Sequence, residues 1–223
     1  MKNKLVKILL LFKFDLKNTG VIWFFPLVMW VISVIYLILQ VPIDQSSIYN
    51  SIIMFQGFYV PFIGFGIMFR LKELYEDGAS ESLMPYYTLN LPLDIVRYLL
   101  LHFFGVIIWC LVFSIKYDIN LIWPINIIHF FLLSILFIFF STTLIITIKH
   151  IEFSLTVLLT YVVIEMATLG EFMPWPHVFI FDQVSLYPEL RLKFVFICFY
   201  IICLVCATGI LIKRDSTKKT NSI

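Results

Sequence analysis

The sequence predicts an all-α, polytopic membrane protein with six transmembrane helices, and three observations carry that expectation. Residues of the set AVILMFWYC make up 61% of the 223-residue chain and charged residues only 13%, with a mean hydropathy of +1.00; soluble domains average roughly 45–50% apolar and about 25% charged. The apolar residues fall in long runs, and a bilayer core of roughly 30 Å takes about 20 helical residues to cross. The runs also lack the polar-lined alternation of an outer-membrane barrel.

Residues 1–19 place Lys2, Lys4, Lys7, Lys13 and Lys17 among bulky apolar side chains. That is too charged for a span, and no small-residue cleavage site follows. An interfacial amphipathic elbow helix fits, with lysine stems snorkelling while Leu and Phe enter the acyl boundary. A six-span domain over 20–213 follows, with spans near 20–41, 50–69, 95–115, 122–148, 152–170 and 194–212, and a cytoplasmic tail over 214–223 whose last residues read as disordered. The fifth span is the weakest, because Glu165 lies inside it and only a short "IKHIE" separates it from the fourth. Five spans plus a re-entrant element are the alternative.

Basic residues orient the bundle. The N-terminal lysines, Arg70, Lys72, Arg97, Lys149, Lys213, Arg214, Lys218 and Lys219 fall on one side, against Lys116, Arg191 and Lys193 on the other. The positive-inside rule puts both termini and the 70–94 segment in the cytoplasm. The opposite face carries 170–193, where Pro174 and Pro176 flank Trp175 and apolar Val178 to Phe181 follow. So much apolar surface suits a short helix or hairpin dipping into the interface better than a flexible loop.

Within the spans, Glu165 is the main exception to an apolar interior. A lone carboxylate there faces the bundle, the outer interface or a proton or substrate contact. Gln56 suits helix packing or ligand contact equally. Gly57 and Gly64, seven apart, read as one face for close helix approach, and Pro61 between them as a kink, either a hinge or a fixed bend. Together, Gln56, Gly57, Pro61, Gly64 and Glu165 are the candidates for a translocation route or hinge. His102, His129, His150 and His177 sit on separate elements and read as packed or interfacial. The four cysteines, 110, 198, 203 and 206, lie in apolar runs and read as packing residues, with a metal or redox site the weaker alternative.

No phosphate-cradling G-x-x-x-x-G-K-[ST], H-E-x-x-H or G-x-S-x-G stretch occurs, so the chain is expected to be non-enzymatic and to bind no cofactor or metal directly. The net charge of +2 raises no expectation of nucleic acid; membrane lipids are the expected surroundings.

The polar stretch "RLKELYEDGASESLMPYYTLNLP", Arg70 to Pro92, reads as a cytoplasmic loop. Leu71, Leu74 and Tyr75 suit a short amphipathic helix that breaks near Gly78 and restarts with Ser80 or Ser82 as a cap, giving a rigid acidic knob. A solvated connector is the plainer alternative. At these residues the chain resembles the permease subunits of ABC-2 type ABC transporters, of type V exporter-like fold, whose coupling element carries a pattern near E-x-x-x-G-T-x-E-x-L with a proline before span three. The matching residues are Glu73 or Glu76, Gly78, Glu81 and Leu83, with Pro85 or Pro92 as the proline and Ala79 in place of the usual Thr. The resemblance implies a bacterial cytoplasmic-membrane protein whose Glu73–Leu83 stretch docks in a groove on a separate cytoplasmic ATPase subunit, two of which complete the assembly. ATP and Mg would sit on those partners. It further implies pairing with a second copy or a related permease, span two near that central interface, and export of a hydrophobic or amphipathic peptide, antibiotic or lipid. The alternative from another class is a non-transporting scaffold or sensor that docks a different cytoplasmic protein.

Overall fold

The computed structural model of the chain describes residue 17 and residues 20–40, 45–76, 80–117, 124–170, 177–181 and 188–220. The expected elbow helix therefore lies outside the described residues except at Lys17. A 3-10 turn, Gly20–Phe24, leads into α1 (Phe25–Leu39), with Pro26 in the first helical turn, where its missing N–H costs nothing. The next helices are α2 (Gln45–Phe58), a 3-10 segment Val60–Gly64 and α3 (Phe65–Tyr75). They are followed by α4 (Ser80–Tyr117), α5 (Pro124–Ile148), α6 (Ile151–Thr168) and α7 (Pro188–Thr220). Six of these units have the length and composition to cross a membrane, with α2, the 3-10 segment and α3 forming one of them. The chain is an all-α, multi-pass membrane protein, and Ile151–Thr168 is a full helix, as the six-span expectation requires.

Span two is the axis. Of its most apolar window 72% is buried within the bundle, against 17% for the first and last spans, whose sides face outward. Its side chains fill the centre: Phe55 stacks on Trp109 of α4 at 4.1 Å between ring centroids and meets Phe130 of α5 edge-on at 5.0 Å. Offset and edge-to-face pairs of this kind add to the burial itself.

Gly57 and Gly64 do not share a partner. A Cβ on Gly57 would meet the flexible Met166 side chain of α6, whereas a Cβ on Gly64 would lie 2.0 Å from Ser141 Oγ and 2.9 Å from the Phe137 carbonyl of α5. Turning the helix through the 3-10 segment at Pro61 breaks the seven-residue register between them.

The polar segment is helical through Leu71, Leu74 and Tyr75 and helical again from Ser80, as expected, but these helices are the ends of the spans rather than a separate 70–94 loop: α3 runs on to Tyr75 and α4 begins at Ser80, with Pro85 and Pro92 inside it. The helices continue because their charges are paired inward. Arg70 Nε lies 3.1 Å from Asp94 Oδ2 and Arg97 Nη2 lies 3.4 Å from Asp94 Oδ1, with Asp94 fully buried. Tyr87 donates its hydroxyl to the Arg70 carbonyl at 3.2 Å. The Arg70–Asp94 pair fastens α3 to α4, and Arg97 adds a second cation to the same buried carboxylate. The chain's last stretch also departs from the expected disordered tail, since α7 remains helical to Thr220.

Gly64→Ala is expected to lower unfolding free energy by about 1–3 kcal/mol through overpacking. Gly209→Ala, whose Cβ would meet nothing within 4 Å, should stay within about 1 kcal/mol of wild type, on the stable side. Thermal or denaturant unfolding of the two purified variants checks this, and equal losses would contradict the Gly64 packing.

Candidate functional site

Residues 177–181 form a non-helical strap inside the bundle, at the end opposite the α3–α4 connection. Val178, Phe179 and Ile180 are all buried. Irregular backbone at membrane depth survives only where protein satisfies its polar groups, each of which costs several kcal/mol if left bare in hydrocarbon. Here side chains from four helices do so. The N–H groups of Val178 and Phe179 donate to Glu165 Oε1 of α6 at 2.5 and 2.7 Å, and that of Ile180 donates to Gln56 Oε1 of α2 at 3.3 Å. On the acceptor side, His129 Nε2 of α5 donates to the Val178 carbonyl at 2.8 Å. Lys193 Nζ of α7 donates to that of Phe179 at 2.5 Å, and Gln56 Nε2 to that of Ile180 at 2.6 Å. Every backbone donor and acceptor of these three residues has a side-chain partner.

Local structure positions these groups. Helix α6 ends with Leu169 and Gly170 at positive φ, 50° and 81°, and the Gly170 N–H returns to the Glu165 carbonyl at 3.1 Å. Glu165 thus sits one turn before the helix end, with its side chain aimed into the bundle. Gly170 lies against the His177 ring, where a Cβ would come within 3.0 Å. Lys193 also reaches His177 Nδ1 at 2.9 Å, and Phe179 stacks on Phe137 of α5 at 5.9 Å. The carboxylate holds two amides and the ammonium holds a carbonyl, so each charge meets the dipole end of opposite sign.

Gln56 and Glu165, candidates for a route or hinge, therefore meet on the strap. The other candidates do not join them: Gly57 packs on Met166, and Pro61 and Gly64 lie buried in the 3-10 segment. His129 and Lys193 are as much part of the site as Glu165. The expectation of a packed His129 holds, but nothing in sequence spacing links it to residues 49 positions away. Of the segment 170–193, the described residues 177–181 enter the bundle as non-helical backbone, and the expected helix or hairpin falls partly outside the described residues.

At the opposite end, the proposed docking residues divide. Glu76 caps α3, and its Oε1 accepts the N–H of Ile151, the first residue of α6, whose own N-cap side chain makes no such bond. The same carboxylate lies 3.8 Å from both Lys72 Nζ and His150 Nδ1. It serves as a helix cap lent by a neighbouring helix. Tyr75 donates to Asp215 Oδ2 of α7 at 3.4 Å, and Lys149 pairs with the same carboxylate at 3.0 Å. Glu73 lies half-buried on α3, and Leu83 packs against the core. Gly78 and the Glu81 side chain lie outside the described residues.

Among the described residues, no group of three or more His, Cys, Asp and Glu side chains could hold a metal ion. The fold and site define a six-helix polytopic membrane protein with a pinned internal strap. No protein-family model, curated protein or solved structure matches the chain.

With the native cysteines replaced, Val178→Cys should react slowly with a maleimide. Adding Glu165→Leu, which strips two amides of a charged acceptor, should speed labelling at least about tenfold, since such bonds contribute roughly 1.5–3 kcal/mol each. Unchanged labelling would mean that the strap is held by something else.

Proposed function

We propose that this chain is the membrane subunit of an ABC-2 type exporter, moving a hydrophobic or amphipathic peptide, antibiotic or lipid out of a bacterial cytoplasmic membrane. ATP and Mg would be bound by two separate ATPase subunits. A second copy or a related permease would complete the assembly. The observation that supports this most is mechanical. The short connection between spans two and three is fastened to α6 through Glu76 and to α7 through Tyr75, Lys149 and Asp215. A displacement there is delivered to two helices whose far ends carry Glu165 and Lys193, the strap's charged anchors.

The orientation follows the positive-inside rule with a smaller count. Arg70 and Arg97 are internal partners of Asp94, yet Lys72, Lys149, Lys213 and Arg214 remain at the connector end, which favours a cytoplasmic connector. At the far end Lys116 is spent on the α1 carbonyls of Leu37, Ile38 and Gln40, and Lys193 on the strap. Because span two is packed on all sides, cargo would move along an outer face or between permeases rather than through one protomer. ATP-driven closure performs work only if the two states differ in their affinity for nucleotide and cargo.

The scaffold or sensor reading draws support from a different observation: Gln56, His129, Glu165 and Lys193 are all engaged by the strap. That arrangement builds a rigid body as well as it builds a gate.

Crosslinking separates the two readings. Glu81→Cys, on a chain with the native cysteines replaced, should crosslink to engineered cysteines on an ATPase encoded nearby, and the yield should change with ATP. If both chains are folded in membranes and no crosslink forms, the docking assignment falls and the scaffold reading replaces it.

A further inference from the structure

A groove of about 740 Å³ opens between α4 and α7 at the connector end, within the size range of ligand pockets. Its walls are apolar: Leu91, Ile95 and Leu99 of α4, Phe139 of α5, and Val205 and Ile212 of α7. Gly209 lies in its floor with nothing within 4 Å of where a Cβ would stand. A glycine inside a helix costs roughly 1 kcal/mol relative to alanine, and elsewhere in this bundle glycines are explained by close approach, as at Gly64 against Ser141. Gly209 has no such neighbour, and what it provides is open space.

Apart from Thr208, whose hydroxyl is hydrogen-bonded to Thr143, the groove's polar lining gathers toward the connector end. Thr88 of α4 and Lys213 and Thr217 of α7 line it there. Pro92, also in the lining, has no N–H to give the Thr88 carbonyl. Asp215, the nearest carboxylate in sequence, is taken by Lys149 and Arg214, and no described carboxylate pairs with the exposed Lys213. From Val205 to Thr217 the wall runs about 18 Å at 1.5 Å per residue, close to the roughly 15 Å of one leaflet's hydrocarbon. Tyr87 to Leu99 spans the same length on the facing helix, in the opposite direction.

We propose that this groove binds one anionic phospholipid, with an acyl chain along Val205, Gly209 and Ile212 and the headgroup phosphate against the Lys213 ammonium, beside Thr88 and Thr217, whose hydroxyls donate to carbonyls of their own helices. The groove's length, its polar connector end and an ammonium with which no described carboxylate pairs match a single lipid standing in its leaflet. A second copy of the chain is the competing occupant for an apolar face, and it would be lost, in place of lipid, when Gly209 is enlarged. The site is separate from the strap and from the connector, so it stands whether or not the chain is a transporter.

The test uses the full chain in nanodiscs of mixed phosphatidylglycerol and phosphatidylcholine, released into the mass spectrometer with its bound lipids. Wild type should retain phosphatidylglycerol over phosphatidylcholine by about fivefold, the scale of one interfacial lysine. Lys213→Gln should bring that ratio near unity without loss of fold, since the side chain is exposed. Gly209→Leu should remove the retained lipid while the protein stays folded. Retention and preference unchanged in both variants would overturn the proposal. So would a Gly209→Leu variant that loses dimer rather than lipid, which would assign the groove to a second copy.

Discussion

The constraint on which the rest of this bundle depends is that the non-helical strap at 177–181 closes no backbone hydrogen bonds of its own among the described residues inside the bundle. Helices close their own backbone bonds, but an extended run cannot. Its six groups at Val178, Phe179 and Ile180 must be met by side chains, and Gln56, His129, Glu165 and Lys193 supply them from α2, α5, α6 and α7. Each of these polar side chains would be costly alone in the same surroundings. Strap and anchors therefore solve one another's solvation problem, and removing either exposes the other. Four spans are thereby tied to one short stretch, which fixes their relative depth.

A second polar device works at the opposite end by a different principle. Around Asp94, Arg70 and Arg97 concentrate charge where helix packing excludes water. Replacing such a cluster with apolar residues is often neutral for stability, but removing one member is not. Its consequence here is geometric. It keeps α3 and α4 together up to the turn, so that Tyr75 and Glu76 are presented at a defined height to Asp215 and Ile151.

The spans were legible in the sequence wherever hydropathy and helix end coincide. The first, fourth and fifth lie close to their expected bounds: 20–41 against 20–39, 122–148 against 124–148, and 152–170 against 151–168. The second, third and sixth extend beyond expectation for one reason. Hydropathy reports where lipid tolerates a residue, whereas a helix ends where its backbone bonds end. Arg70 and Asp94 read as loop because their pairing is long-range, although the i,i+3 spacing of Asp94 and Arg97 was visible. Glu165 stood out as an anomaly in sequence, but its partners did not: the amides it holds lie 13 and 14 residues on, beyond an intervening turn. Side chains that bond to backbone leave no mark in a pattern of residue types.

The interruption of span two at Pro61 bears on how motion passes between the two ends. A hinge needs clearance toward the side it bends. All five residues Val60–Gly64 are buried, and Gly64 already touches α5 as closely as a glycine can. The break is thus a fixed bend in this state, filled by its neighbours rather than free between them. The fixed bend thus joins α2, held to the strap through Gln56, to α3, held to the connector through Tyr75 and Glu76. Displacement at the connector has its continuous rigid path through α6 and α7, which run unbroken from the Glu76 and Asp215 contacts to Glu165 and Lys193. The outer helices therefore join the two ends of the bundle alongside the bent central span.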